Sequence, residues 1–164
     1  MSTRVTDQTA QARGDVLSSI VRAIREETDP QRAMERAVAM LKHSVPAYTW
    51  VGIYVLEGDE LVLGPFLGKP SPHTRIPLGS GICGAAATER ETIIVDDVNA
   101  DARYLACSIE TRSEIVVPIM ESGRVLGEID IDSDQPAAFG ATDRKLLEGV
   151  AAALAPALSA AGTR

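Results

Sequence analysis

Apolar residues between Gly14 and Thr28 (Val16, Leu17, Ile20, Val21 and Ile24) recur at helical spacing, which predicts an amphipathic helix. A second stripe, Ala33, Met34, Ala37, Val38 and Leu41, follows Asp29 and Pro30. Asp can cap a helix and Pro is tolerated in its first turn, so a new helix starts there and ends at Pro46. The texture then turns strand-like. Thr49 to Leu56 is β-branched and aromatic, Glu57 to Glu60 reads as a turn, and Leu61 to Leu67 as the returning strand of a hairpin. A Pro/Gly-rich stretch runs from Gly68 to Pro77, and Gly79 to Arg90 holds a short helix opening near Gly81. Thr92 to Val95 is a short buried strand. Asp96 to Arg112 is a long irregular connection, the kind of segment that often carries function. Ser113 to Met120 and Arg124 to Asp132 make a second hairpin, and Thr142 is the expected N-cap of a last helix reaching about Ser159. Ahead of the domain, taken as residues 14–161, residues 1–13 read as a loose polar arm.

Two hairpins demand antiparallel pairing, and strict strand–helix alternation is missing. The pattern therefore predicts a single α+β domain. One mostly antiparallel sheet would carry the N- and C-terminal helices on one face and a loop-covered pocket on the other.

Composition narrows the partners. A chain of 164 residues, 45% apolar, can bury a core. Its net charge of −7 disfavours nucleic acid, which is bound through clustered Lys and Arg. The first fifteen residues lack the apolar centre of a secretory signal. The most apolar run, Leu146 to Ala160, contains Glu148 and Pro156 and is shorter than the roughly 20 residues of a spanning helix. A soluble, cytoplasmic protein that engages no membrane is expected.

Four features invite chemistry. Gly79-Ser80-Gly81-Ile82-Cys83-Gly84 matches the G-x-G-x-x-G pattern, but the helix after it is too short for a dinucleotide crossover. A tight turn into a helix explains those glycines better. Asp130, Asp132 and Asp134 imitate the start of a calcium loop, but Gln135 and Ala141 stand where Gly and Glu belong. Glu128, Asp130 and Asp132 share one strand face, which is either solvated or, if concave, a cation-recognising wall. Trp50 and Tyr54 also share a face and can wall a pocket. Cys83 lies near a helix start, where the dipole favours a thiolate, and Cys107 lies in the irregular connection. Neither His43 nor His73 has metal-ligand spacing to the cysteines, so no metal is expected.

Together these runs resemble the GAF-domain family of free methionine-(R)-sulfoxide reductases. The matching segments are Trp50-Val51-Gly52-Ile53-Tyr54, Leu63 to Lys69, Arg75-Ile76-Pro77 and Gly79 to Gly84. They continue with Ala106-Cys107, Ser113-Glu114-Ile115-Val116 and Gly127 to Ser133. The resemblance implies the GAF fold and reduction of the R sulfoxide of free methionine without a bound cofactor. It implies that Cys107 attacks the sulfoxide sulfur and that Cys83 is a second redox cysteine. Glu114, Asp130 and Asp132 would bind substrate and aid proton transfer, with Trp50 and Tyr54 as the pocket wall. Many members carry a third cysteine ten positions before Cys83, where this chain has His73. Resolution then falls to Cys83 or to an external thiol. Thioredoxin or a similar dithiol would recycle the enzyme, and the family suggests a homodimer.

The residue types suit that reaction. A sulfoxide oxygen leaves only when protonated, so a carboxylic acid kept neutral by crowding is useful. Thiolate attack leaves a sulfenic acid, which a second thiol condenses into a disulfide. Clustered carboxylates can also hold the ammonium of a free amino acid. Two other readings compete: a non-catalytic GAF module that binds and senses a small ligand, and a thiol redox protein with no amino-acid substrate.

Overall fold

Alternation along three central strands decides the architecture. In β1 (Trp50–Glu57), β5 (Ser113–Glu121) and β6 (Arg124–Ser133), one set of side chains is Val51, Ile53, Ile115, Val117, Ile119, Ile129 and Ile131. All seven are buried against helices in one core. The opposite set, including Trp50, Tyr54 and Val116, belongs to a second, smaller core. The computed structural model describes residues 2–106 and 108–162.

Helices α1 (Ser2–Glu26), α2 (Pro30–Ser44) and α4 (Ala141–Gly162) supply the larger core through Ile20, Leu41, Leu146, Val150 and Leu154. The remaining strands are β2 (Glu60–Leu67), β3 (Arg75–Pro77) and β4 (Ile93–Val95). The six strands lie in the order β3-β2-β1-β6-β5-β4, and every neighbouring pair is antiparallel. On the second face, α3 (Gly81–Glu89) and the connection after β4, through Val98 and Tyr104, cover the sheet; Val98–Ala100 forms one 3-10 turn there. This is the α+β architecture that the two hairpins require.

Several local expectations are corrected. The loose arm over residues 1–13 is helical from Ser2, continuous with the apolar stripe that follows. Its exposed positions gain local support, such as Gln11 Nε2 donating to Asp15 at 3.1 Å. The Pro/Gly-rich stretch contains β3, a three-residue edge strand. An edge is where a strand tolerates Pro, here Pro77. Thr142 is not the N-cap of α4, because the helix has already begun at Ala141. Asp143 performs the capping instead, its Oδ2 accepting the Gly140 N–H at 3.0 Å.

The other oxygen of Asp143 ties the helical layer to the sheet. It accepts from the Tyr48 hydroxyl at 2.6 Å and from Arg13 Nε at 3.1 Å. Burial, and then the Asp143 carboxylate, pushes the Tyr48 phenol far above its usual range.

Candidate active site

Register across the sheet brings the acids together. Asp132 pairs with Trp50 on one side and Glu114 on the other; Asp130 pairs with Gly52 and Val116; Glu128 pairs with Tyr54 and Pro118. Glu114, Asp130 and Asp132 are buried to 4–5% exposure and Glu128 to 0%, so the acids do not form a solvated strand face. They lie beneath α3 and the connection.

Gly52 makes room for the aromatic wall. A Cβ at Gly52 would stand 2.6 Å from Trp50 Cζ3, and one at Gly68 2.6 Å from Trp50 Cδ1. The indole thus lies flat between two glycines. It stacks on Phe66 at 5.7 Å between centroids, and its Nε1 donates to the Lys69 carbonyl at 2.9 Å. The Tyr54 hydroxyl donates to the His73 carbonyl at 2.9 Å, and His73 Nε2 lies 3.1 Å from the Ala106 carbonyl. The loop holding His73 is thereby joined to both the sheet and the connection.

Two cavities open on this face. The inner one, lined by Tyr54, His73, Cys83, Leu105, Glu114 and Asp130, holds about 20 Å³, room for a single water. The outer cleft, about 70 Å³, lies between Trp50, Lys69, Ser108, Glu110 and Asp132. Cys107 lies outside the described residues, but Leu105 lines the inner cavity and Ser108 the outer cleft.

Cys83 is buried at 5% exposure with its Sγ, one Glu114 oxygen and one Asp130 oxygen all within 4.8 Å of one another. Among the described residues this trio alone gathers three ligand-type atoms that could hold a metal. The expected thiolate at Cys83 is overturned. Burial pushes its thiol well up, and Asp130, Glu128 and Glu114 push it further. A helix N-terminus contributes about 0.3–1 kcal/mol, too little against burial and three acids. The turn into α3 is as expected from its glycines: Gly79 and Gly81 have φ of 85° and 66°, values that favour glycine.

The acids themselves are kept toward the protonated form. Burial raises Glu128 and Asp132, and the Asp130 charge raises both further. Asp130 is raised by burial, while Glu114 and Cys83 partly offset that rise. Such a face can hold a proton near neutral pH and place it beside a ligand. The family resemblance gives Glu128 no role, although it shares the strand face of Asp130 and Asp132. Its period-two relation to Asp130 and Asp132 was legible, but its burial depends on α3.

Comparison with known proteins identifies the family. The GAF domain profile matches residues 13–158. The free methionine-R-sulfoxide reductase of Escherichia coli is 35% identical over 133 residues, covering 81% of this chain and 80% of that protein. The chain belongs to the GAF-domain free methionine-R-sulfoxide reductase family. Within it, the Neisseria meningitidis enzyme in complex with its substrate superimposes with a TM-score of 0.88 at 38% identity, covering 94% of this chain and 92% of that one. The type II enzyme of Thermoplasma acidophilum gives 0.78 at 41% identity over 80% of this chain and 93% of that one. No described helix is long and apolar enough to cross a membrane.

Proposed function

We propose that this chain reduces the R sulfoxide of free methionine to methionine. The observation that carries the reading is the burial of Glu114, Asp130 and Asp132 beside Trp50 and Tyr54, on the face where Cys83 sits. In this reading Cys107 is the attacking thiol. It bonds to the sulfoxide sulfur while a carboxylic acid of the cluster protonates the oxygen. The oxygen then passes to Cys107 as a sulfenic acid, the enzyme sulfur is oxidised and methionine leaves. Trp50 and Tyr54 flank the substrate, and the ionised members of the cluster hold its ammonium by charge-assisted hydrogen bonds.

In this reading Cys83 is the second redox cysteine, on the same buried face as Glu114 and Asp130. The chain has two cysteines, with His73 in the position where many members have a third. A Cys83–Cys107 disulfide, recycled by thioredoxin or a similar dithiol, closes the cycle. We place the protein in the cytoplasm, as a homodimer whose mass sedimentation would check.

The test supplies free R and S sulfoxides, and N-acetylmethionine sulfoxide, with a thioredoxin recycling system. Methionine release from the free R form alone is expected. Equal turnover of the N-acetylated substrate removes the ammonium role, and binding without turnover favours a sensing module instead.

A further inference from the structure

Three elements bring electron-pair donors to the inner cavity. Cys83 comes from α3, Glu114 from β5 and Asp130 from β6, and all three line it. The Cys83 Sγ and one carboxyl oxygen of each acid lie within 4.8 Å of one another. Among the described residues that line this cavity there is no Lys or Arg. Asp130 is 4% exposed, and its Oδ1 is buried with no hydrogen-bond partner. A buried acceptor left so is costly, and buried charges are ordinarily paired or bound to a metal. An ammonium group would use the oxygens but not the sulfur. A metal ion uses all three atoms.

Three protein ligands with a fourth position open to water make a tetrahedral zinc centre. With bonds of about 2.3 Å to sulfur and about 2.1 Å to oxygen, the ligand atoms of such a centre stand about 3.4–3.6 Å apart. The trio, already within 4.8 Å, would close by little more than about 1 Å. The cavity's volume of about 20 Å³ leaves room for one water at the fourth position. We propose that Cys83, Glu114 and Asp130 form a site for a thiolate-seeking divalent cation of the zinc class, and that filling it switches off the thiol chemistry of this face. On binding, the S–H bond of Cys83 breaks, a sulfur–metal bond forms and the proton passes to solvent, with no transfer of electrons. Sulfur selects such ions against Mg²⁺ and Ca²⁺, which take oxygen ligands. The bound ion withdraws Cys83 and two acids from the reaction. The site stands on geometry, and only its inhibitory effect rests on the sulfoxide reading.

The full chain serves for both arms of the test. In a Cys107→Ser background Cys83 is the sole thiol. Zn²⁺ binding is measured there by equilibrium dialysis, and Co²⁺ binding by its absorption spectrum. One equivalent of Zn²⁺ is expected, and Co²⁺ should show tetrahedral bands with a sulfur-to-cobalt charge-transfer band. Adding Cys83→Ser should remove the charge-transfer band. Cys83→Ser, Glu114→Gln and Asp130→Asn should each weaken Zn²⁺ at least about tenfold, since even outer partners of a metal site are worth that much. Asp134→Asn, at an exposed acid just past β6, should leave binding unchanged. Thermal melts guard against misfolding: Zn²⁺ should raise the melting temperature of the parent and not of its Cys83→Ser variant. Absence of stoichiometric Zn²⁺ overturns the site, as does binding that survives Cys83→Ser or yields to an equal concentration of Mg²⁺. In the second arm one equivalent of Zn²⁺ should block the single turnover of wild-type protein, spare that of Cys83→Ser, and be reversed by a chelator. Full activity with Zn²⁺ bound, or equal inhibition of both proteins, overturns the switch. If metal-free wild-type protein releases no methionine, the sulfoxide reading fails, and dialysis still decides the site.

Discussion

The two faces of β1, β5 and β6 are one residue out of phase and obey different rules. Toward the helices, Val51, Ile53, Ile115, Val117, Ile129 and Ile131 pack into a continuous apolar core. Toward α3, the intervening positions include Trp50, Tyr54 and Val116 together with four acids, Glu114, Glu128, Asp130 and Asp132, all buried. Burial is favourable on the first face and costly on the second, where charge must leave water. The first face makes the fold, and stability is given up on the second to hold protons beside a cavity.

The sharpest separation of the two faces should come from the thiols. Cys107→Ser should abolish methionine release even in a single turnover without reductant. Cys83→Ser should stall after one equivalent under thioredoxin recycling, because attack needs one thiol and resolution two. Rapid-quench assays read both, and the opposite pattern would exchange the two roles.

Neighbouring residues of β6 give the next largest effects. Ile131→Ala should cost about 2–5 kcal/mol of stability, the usual range for an emptied core position. Its kcat/KM, corrected for folded fraction, should stay near wild type. Asp132→Asn should do the reverse, lowering kcat/KM about a hundredfold, as loss of acid–base assistance does, with little loss in urea stability. Parallel urea melts and kinetics on the pair check the claim. If both variants fail in the same way, the faces are not functionally distinct.

The helix-facing stripe could be read from the chain because it depends on local period alone. Asp29 shows the same locality: its side chain accepts the Gln31 N–H at 3.0 Å, as its place before Pro30 suggested. The pocket face could not be read so fully. Period two aligned Glu128, Asp130 and Asp132, but whether water or α3 covers them depends on how residues 81–112 fold back. Cys83 was misjudged for that reason, since its helix is adjacent in sequence while the acids that hold its proton come from β5 and β6. Asp143 was missed because its partners Arg13 and Tyr48 are distant in the chain.

That Asp143 junction belongs to the stable face and makes a weaker, separate prediction. Asp143→Ala strands the Tyr48 hydroxyl and the Gly140 N–H, and should cost about 1–3 kcal/mol without altering the sulfoxide pocket. Thermal melts with activity at low temperature would show it.

The faces should also differ in their response to pH. Glu128, Asp130 and Asp132 have folded pKa values raised above those of the unfolded chain. The folded state then binds more protons, so stability falls as pH rises from the ordinary carboxylate range, about 4, through the raised values. Glu128→Gln or Asp132→Asn should flatten that decline, whereas Ile131→Ala should lower the whole curve without changing its slope. Urea midpoints across the pH range test this, and a decline unchanged in Glu128→Gln would remove Glu128 from the linkage.

The smallest effect should lie at the rim of the outer cleft. Lys69 Nζ and Glu110 meet there at 2.7 Å, with side chains 70% and 56% exposed. Such pairs contribute about 0–1 kcal/mol, because solvent screens them and two long side chains must be held. The same residue 69 also accepts the Trp50 Nε1–H through its backbone carbonyl, which a side-chain change leaves in place. Glu110→Gln should therefore shift the melting temperature barely and leave KM for the free sulfoxide near wild type. Gly68→Ala should raise KM, since φ there is 132° and a Cβ would press on the indole. A larger KM change in Glu110→Gln than in Gly68→Ala would mean that the ion pair, and not the backbone behind Trp50, shapes the cleft.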